Sequence, residues 1–460
     1  VWGLQFSLED ELDLWEEYAE IELPRAHRLG MRSIRTNLRW DDVEPRNVEP
    51  SEYDWSIYDR RLAEYSDAGL DVIVTLVAYP SWATEWQCGG AVLQGMDVEW
   101  REFVREAARR YRAPRYNIAG WEIGNEVDGK TKIVEADYDR SPEWGGGQPT
   151  VPHGGCWGDR APAYKEFLRE AYEEIKGVDP DVPVLLGGLA YVDLYDYFGY
   201  DLMHMDFLDK LLEAGGGAYF DVFSYHWFPD VDPRYQPPGP ERHRELMAKL
   251  HKHGLRPPVW LTETYRLSDP TPPEGELRQM LFTSRDIVEL LAFPELERVY
   301  WYGWVDFPPR FKPDPSQWDR GAVRHDHTAK PVVKALPYTI EYTNGIPEDV
   351  STDAVRAIQF RRPREAVTYV IAWPRDEGTA DLVVPVPSGS QALVTRFPPD
   401  LLLQGECCVH EHLREQSGRI EVSVGQEGVF AAIRTSHGVA PVSAAGAAGT
   451  DRVGEVVPGD

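Results

Sequence analysis

The chain has 460 residues, 42% of them hydrophobic, and a formal net charge of −29. That length holds one large domain and a smaller companion, and the apolar content excludes wholesale disorder. No apolar run is as long as a membrane span, and so acidic a surface repels nucleic acid, which excludes membrane and nucleic acid as partners.

The chain opens at Val1, and Trp2–Phe6 already reads as a strand, with no basic or long apolar leader before it. A removed targeting segment is compatible with that opening. The expectation is a secreted or cell-surface protein, with a cytoplasmic one as the alternative.

From there to about residue 345, short β-branched runs alternate with longer amphipathic ones. The strand candidates are Trp2–Phe6, Ser33–Asn37, Val72–Val77, Ile118–Gly124, Val184–Leu186, Asp221–His226, Val259–Glu263 and Val299–Trp304. Between them apolar residues recur at three- and four-residue steps, as in Trp55–Tyr65 and Tyr164–Ile175. Gly30, Gly69, Gly177, Gly215 and Gly254 follow helical patterns directly, at the left-handed position where a missing Cβ removes the steric penalty. Eight strand-helix units over residues 1–345 predict an α/β fold, a (β/α)8 TIM barrel. A doubly wound open sheet is the competing answer, but no Gly-rich phosphate loop follows the first strand.

After Asn344 the helical period stops. Strand runs appear at Val355–Phe360, Val367–Trp373, Leu382–Val386, Ala392–Thr395, Ile420–Val424 and Val429–Ile433, separated by turn-rich links. Residues 346–438 therefore read as a C-terminal antiparallel β-sandwich. The Ala-, Gly- and Ser-rich stretch 439–460 reads as a flexible tail.

Of the four cysteines, Cys88 and Cys156 lie in Gly-rich loop stretches and could be bridged if both loops share a rim. Cys407 and Cys408 are adjacent and read as free thiols rather than a strained bridge. No Cys-x-x-Cys or His-x-x-x-His spacing offers a zinc site, and no cofactor or metal is expected.

Two glutamates carry the chemistry. Glu126 ends Trp121-Glu122-Ile123-Gly124-Asn125-Glu126, and Glu263 closes Val259-Trp260-Leu261-Thr262-Glu263. Each stands where an apolar strand gives way to a loop, at the barrel's working face. A carboxylic acid facing a carboxylate across a small gap is the machinery of glycosidic bond cleavage. In a regular strand Asn125 and Glu126 would point to opposite faces, so the strand must end, twist or bulge there, with Gly124 supplying the freedom. Glu122 shares strand parity with Glu126 but lies deeper, which points to a buried, paired structural role.

With these motifs the chain resembles glycoside hydrolase clan A, the retaining (β/α)8 hydrolases. Asn125-Glu126 matches that clan's acid/base pair after strand four, and Glu263 its nucleophile after strand seven. Further matches are Arg35 on strand two with Trp40 and Glu44-Pro45 after it, Pro80-Ser81-Trp82, Ser224-Tyr225-His226 and Tyr300-Trp301. Within the clan the chain is most similar to family 39, the β-xylosidases and exopolysaccharide hydrolases.

The resemblance implies that Glu263 attacks the anomeric carbon, that Glu126 protonates the leaving oxygen, and that Asn125 bonds the sugar 2-hydroxyl. Arg35 would keep Glu263 ionised. Trp301 is expected to floor the cleaved-sugar subsite, Tyr225 and His226 to orient Glu263 and touch hydroxyls. Trp82, Trp86, Trp157, Trp227 and Trp304 fall in rim loops, as sugar platforms or loop anchors. The long insertion from Val127 to about Asp159, with Trp144, would border an open cleft or wall off a pocket. The tryptophans favour a cleft and endo action on an oligo- or polysaccharide, with an exo-acting pocket as the alternative. A non-catalytic carbohydrate-binding barrel, and a metal-dependent hydrolase built on His325-Asp326-His327, are the readings from other classes. Oligomeric state is not encoded in any of these motifs.

Overall fold

The computed structural model describes residues 1–6, 12–84, 92–93, 95–129, 157, 160–192, 203–229, 236–268, 274–306 and 319–435. Cys88, Cys156, Trp86, Trp144 and the stretch 439–460 lie outside the described residues.

Eight parallel strands form the first sheet: β1 (Trp2–Gln5), β2 (Ser33–Arg39), β3 (Asp71–Val77), β4 (Ile118–Asn125), β5 (Val184–Gly188), β6 (Phe223–His226), β7 (Val259–Thr264) and β8 (Leu296–Tyr302). Their order is β5-β4-β3-β2-β1-β8-β7-β6, and the bridges Leu185–Val222 and Leu189–Tyr225 join the two end strands into a barrel. Helices such as Ser56–Asp67, Ala161–Val178 and Gly239–Lys252 run between the strands and bury their apolar stripes.

The interior is layered by strand alternation. Ile73, Leu185, Val222, Trp260 and Tyr300 meet as an apolar plug. Two residues further along β3 and β6 come Thr75 and Ser224, which with Arg35 and Glu122 form a buried polar layer above the plug. One more step reaches the carboxyl ends of the strands. The plug supplies apolar burial, and the polar layer supplies the charge and orientation that a site above it needs.

Gly30, Gly69, Gly215 and Gly254 take positive φ at helix ends as the sequence predicts. Gly177 does not: it lies inside the helix Ala161–Val178, whose apolar contacts carry it one residue further.

The second domain has a six-stranded antiparallel sheet, β14-β13-β16-β11-β10-β9, and a two-stranded sheet, β12-β15. Its strands are β9 (Ile346–Asp349), β10 (Val355–Arg362), β11 (Val367–Pro374), β12 (Ala380–Pro385), β13 (Gln391–Arg396), β14 (Val409–Arg414), β15 (Arg419–Val424) and β16 (Val429–Arg434). Both faces of the larger sheet are covered at its central strands β11 and β16. Small residues such as Val370, Ala372 and Ala431 pack against Leu382, Ile420 and Val422 of the smaller sheet. The opposite face, with Tyr369, Ile371 and Phe430, joins the barrel core through Tyr338 and Tyr342 of the helix Val332–Tyr342. That is why β11 reads as a nearly unbroken apolar run. The sequence reading missed β9 and β14, the two edges of the sheet, because edge strands such as Ile346-Pro347-Glu348-Asp349 and Val409-His410-Glu411-His412 carry polar residues and proline instead of alternation.

Candidate active site

Arg35 is the centre of the site. Its guanidinium is wholly buried and donates to four acceptors: Glu122 Oε2 at 2.7 Å, Gln5 Oε1 at 2.7 Å, Asn125 Oδ1 at 2.7 Å and Glu263 Oε1 at 2.5 Å. Burial alone would lower the guanidinium's pKa, but Glu122 and then Glu263 beside it outweigh that and raise it. Glu122 also accepts a hydroxyl hydrogen from Thr75 at 2.8 Å, and the Ser224 hydroxyl, shared with Leu186 O, lies 3.0 Å from its other oxygen. Its oxygens are spent on holding the layer together, so it is the structural carboxylate.

The expected distortion of β4 is present. Gly124 has φ +85° and Glu126 φ +47°, both left-handed. A Cβ on Gly124 would also meet Val127 at 2.7 Å. Glu126 is fixed in that conformation by donating its own N–H to Gly188 O at 2.7 Å and by accepting from Gly129 N at 2.9 Å. A non-glycine residue at positive φ costs on the order of 1 kcal/mol and persists only where its surroundings hold it there. The twist lets Asn125 face Arg35 while Glu126 turns into the mouth of the barrel. Its side chain keeps 22% of its surface exposed, against 8% for Glu263.

The two glutamates converge on His226 at the end of β6. His226 Nδ1 lies 3.1 Å from Glu126 Oε1 and 3.7 Å from Glu263 Oε2. One oxygen of each carboxylate and one ring nitrogen all lie within 4.8 Å of one another. Glu263 thus has one oxygen tied to Arg35 and the other turned toward His226, which also bonds Glu126. A divalent cation could also span these three atoms. Arg35, however, already places a fixed positive charge on Glu263, which an acid–carboxylate pair needs and a dication site does not.

Burial pulls the His226 imidazole down to about 4, against the opposing pull of Glu263. It is therefore neutral in the folded chain at pH 7. The unfolded imidazole takes a proton below about pH 6.5, whereas the folded one stays neutral down to about pH 4. Its contribution to stability is complete above pH 6.5 and is lost as pH falls through that window, about 3 kcal/mol in all. Asp128 acts in the opposite sense. Burial raises its carboxyl to about 7 while the N–H groups of Tyr191 and Ala190 bond it, so its contribution is lost as pH rises. His226→Asn separates the two: urea unfolding at pH 7.0 and 4.5 should show the variant losing more stability than wild type at pH 7.0 and little more at pH 4.5.

The structure places the remaining site residues in two groups. Arg35, Asn125, Glu126, His226 and Glu263 meet as described. Trp301 and Tyr225 do not join them. Trp301 is 1% exposed, donates its indole N–H to Arg320 O at 3.0 Å and packs on Phe282 and Trp304 in the outer layer. Tyr225 stacks on Phe223 and bonds His243 Nδ1 at 3.2 Å, under the helix Gly239–Lys252. The reason is the period of two: on β6 Ser224 and His226 face inward, and on β8 Tyr300 and Tyr302 do, so the residues between them face the helices. Trp82 packs edge-on against Trp40 at 5.3 Å and donates to Glu44 O at 3.1 Å. Of the other rim tryptophans described, Trp157, Trp227 and Trp304 are buried loop anchors.

The aromatic surface that does adjoin the carboxylates was missed. Tyr302 lies near enough to feel the charges of Glu263 and Glu126. Its ring centroid is 6.2 Å from that of Tyr265, which is 4.7 Å from Phe228, and the Arg320 guanidinium lies over Tyr265 and Tyr302 at 4.8 and 5.1 Å. The available signal was the spacing of Tyr265, two residues beyond Glu263, and the parity of Tyr302. His325-Asp326-His327 gives no metal site of its own: His327 is bound between Glu22 at 2.8 Å and Glu17 at 3.2 Å.

No protein-family model matches the chain, and no curated protein sequence does. Solved structures match it over most of its length. A family 39 glycoside hydrolase from Bacteroides cellulosilyticus WH2 is 16% identical with a TM-score of 0.65, over 94% of this chain and 80% of that one. A family 39 β-xylosidase from Caulobacter crescentus is 15% identical with a TM-score of 0.62, over 94% and 95%. A family 30 endoxylanase from Clostridium papyrosolvens C71 is 10% identical with a TM-score of 0.59, over 95% and 96%. The likeness takes in barrel and second domain together, and it is a likeness of fold.

Proposed function

We propose that this chain is a retaining glycoside hydrolase that cleaves β-glycosidic bonds by double displacement, with Glu263 as nucleophile and Glu126 as acid/base. The observation that carries the reading is the pair of carboxylate oxygens within 4.8 Å at the mouth of the barrel, one of the two carboxylates held by Arg35. Retaining enzymes bring their two carboxyl groups close, about 5–5.5 Å apart, and the convergence of Glu126 and Glu263 on one histidine supports that class.

Each residue then has a task. Arg35 fixes Glu263 Oε1, leaving Oε2 to attack the anomeric carbon. Glu126 gives its proton to the leaving oxygen. A charged imidazole beside Glu126 would draw that proton off, and the neutral His226 does not. Once Glu263 is esterified its negative charge is gone, and Glu126 takes a proton from the water that attacks the intermediate. The Tyr265–Tyr302 pair, with Arg320 over both rings, lines the site beside the carboxylates and would contact the sugar.

β-Xylosides are the first substrates to try, since a β-xylosidase and an endoxylanase are among the folds it resembles. The open-cleft, endo-acting reading rested on rim tryptophans, and Trp82 is the one described that is not buried. Product lengths from xylan decide it: internal cuts mean a cleft, single sugars a pocket. The experiment for the reaction itself is proton NMR of the first product from an aryl β-glycoside. The β-anomer should appear first and mutarotate, with the rate unchanged by EDTA. An α-anomer first would overturn retention, and loss of turnover on chelation would favour the metal reading of the same three residues.

A further inference from the structure

We propose that Cys407 and Cys408 form a hydroperoxide-responsive dithiol at the junction of barrel and sandwich, with Cys408 as the attacking thiolate and Cys407 as the resolving thiol. The proposal is independent of the carbohydrate chemistry. It starts from a cluster of groups around one sulfur. Cys408 Sγ lies 3.5 Å from the Tyr338 hydroxyl and 3.7 Å from His410 Nε2, and His410 Nδ1 is in turn 3.1 Å from Thr395 Oγ1. An imidazole oriented by a third group beside a thiol is the arrangement that activates a sulfur nucleophile.

The neighbouring cysteine divides the labour. Hydrogen bonding from Cys407, against the cost of burial and with help from Tyr338 and His410, draws the Cys408 thiol down to about 6. The same bond, with burial, pushes the Cys407 thiol up. Tyr338 and His410 both face Cys408 and favour its thiolate, whereas burial and the Cys408 sulfur beside it disfavour the charged form of Cys407. The charged and titratable groups facing the pair are Lys334, Tyr338 and Tyr342 on the helix Val332–Tyr342 and His410 on β14. Both thiols are free and half-buried, within reach of a small oxidant. Residues 406–408 belong to no helix or strand and link the helix Pro399–Leu403 to β14, so the strain of closing a ring between adjacent cysteines falls on a connecting segment.

The chemistry balances with hydrogen peroxide as the oxidant. The Cys408 thiolate attacks one peroxide oxygen; the S–O bond forms, the O–O bond breaks and hydroxide leaves, giving a sulfenic acid. The Cys407 thiol then attacks that sulfur, forming the S–S bond and releasing water. The product takes Cys408 out of its contact with Tyr338, in the aromatic seam of Tyr338, Phe397 and Phe430 that joins the two domains.

Timed iodoacetamide pulses on the full chain, read by peptide mapping, test the proposal. Alkylation of Cys408 should rise less than twofold between pH 7.0 and 8.5 and should outpace Cys407 at pH 7.0. An ordinary thiol with a pKa near 8.5 would rise by more than tenfold. His410→Ala should move the rise in Cys408 labelling to higher pH. With peroxide, the peptide holding both cysteines should lose 2 Da (two hydrogens, on the order of one disulfide per chain) without forming dimers, and Cys407→Ser should yield a dimedone adduct on Cys408. An ordinary pH profile for Cys408, faster labelling of Cys407, or over-oxidised Cys408 beside an untouched Cys407 would each overturn it.

Discussion

Replacing Glu263 by glycine should lower turnover of an activated aryl β-glycoside by about 10⁴-fold or more, since the whole covalent step is lost. The side chain removed is nearly buried, with one oxygen on Arg35 and the other beside His226, which also bonds Glu126. Azide placed in the vacated space should attack the sugar directly and restore turnover, giving an α-glycosyl azide. Glu126→Ala should behave differently. It leaves the nucleophile intact, so a substrate with a good leaving group still forms the intermediate, and azide then yields the β-glycosyl azide. Identical azide products from both variants would contradict the assignment of roles.

Arg35→Met should be the most damaging change to stability within the barrel. The arginine holds Glu122, Gln5, Asn125 and Glu263 in one layer, and its side chain and that of Glu122 have no exposed surface. Removing it leaves Glu122 buried as an uncompensated carboxylate, a loss of about 3–5 kcal/mol. The double variant Arg35→Met/Glu122→Gln should recover part of the loss, because the stranded charge is gone and Thr75 and Ser224 can still bond the amide. Urea unfolding of the three variants reads all of this. A double variant no more stable than Arg35→Met would show that packing, not charge, sets the cost.

The strand-helix alternation made the barrel readable from the chain, and two carboxylates at the ends of the fourth and seventh strands marked the site. The strain at Gly124 and Glu126 could also be inferred, because Asn125 and Glu126 cannot both serve one site from a straight strand. Inward and outward faces were harder. Barrel strands are buried on both sides, so hydropathy does not alternate along them. On β6 the polar residues Ser224 and His226 did mark the inner face, and that should have placed Tyr225 outside. On β8 the run Val299-Tyr300-Trp301-Tyr302 has aromatic residues on both faces, and only pairing with β1 and β7 tells Trp301 from Tyr302. The aromatic wall of Phe228, Tyr265 and Tyr302 comes from three separate loops and strand ends, a juxtaposition that exists only in three dimensions.

The central claim of the proposed mechanism concerns one atom: Glu263 Oε2 bonding to the sugar. A 2,4-dinitrophenyl 2-deoxy-2-fluoro-β-glycoside, tried as xyloside and glucoside, should release one dinitrophenolate per chain and add one fluoro-sugar, on the order of a single stoichiometric burst. Peptide mapping by mass spectrometry should find that sugar on Glu263. An adduct on another residue, or steady turnover of a good substrate with an inverted product and no adduct, would contradict it.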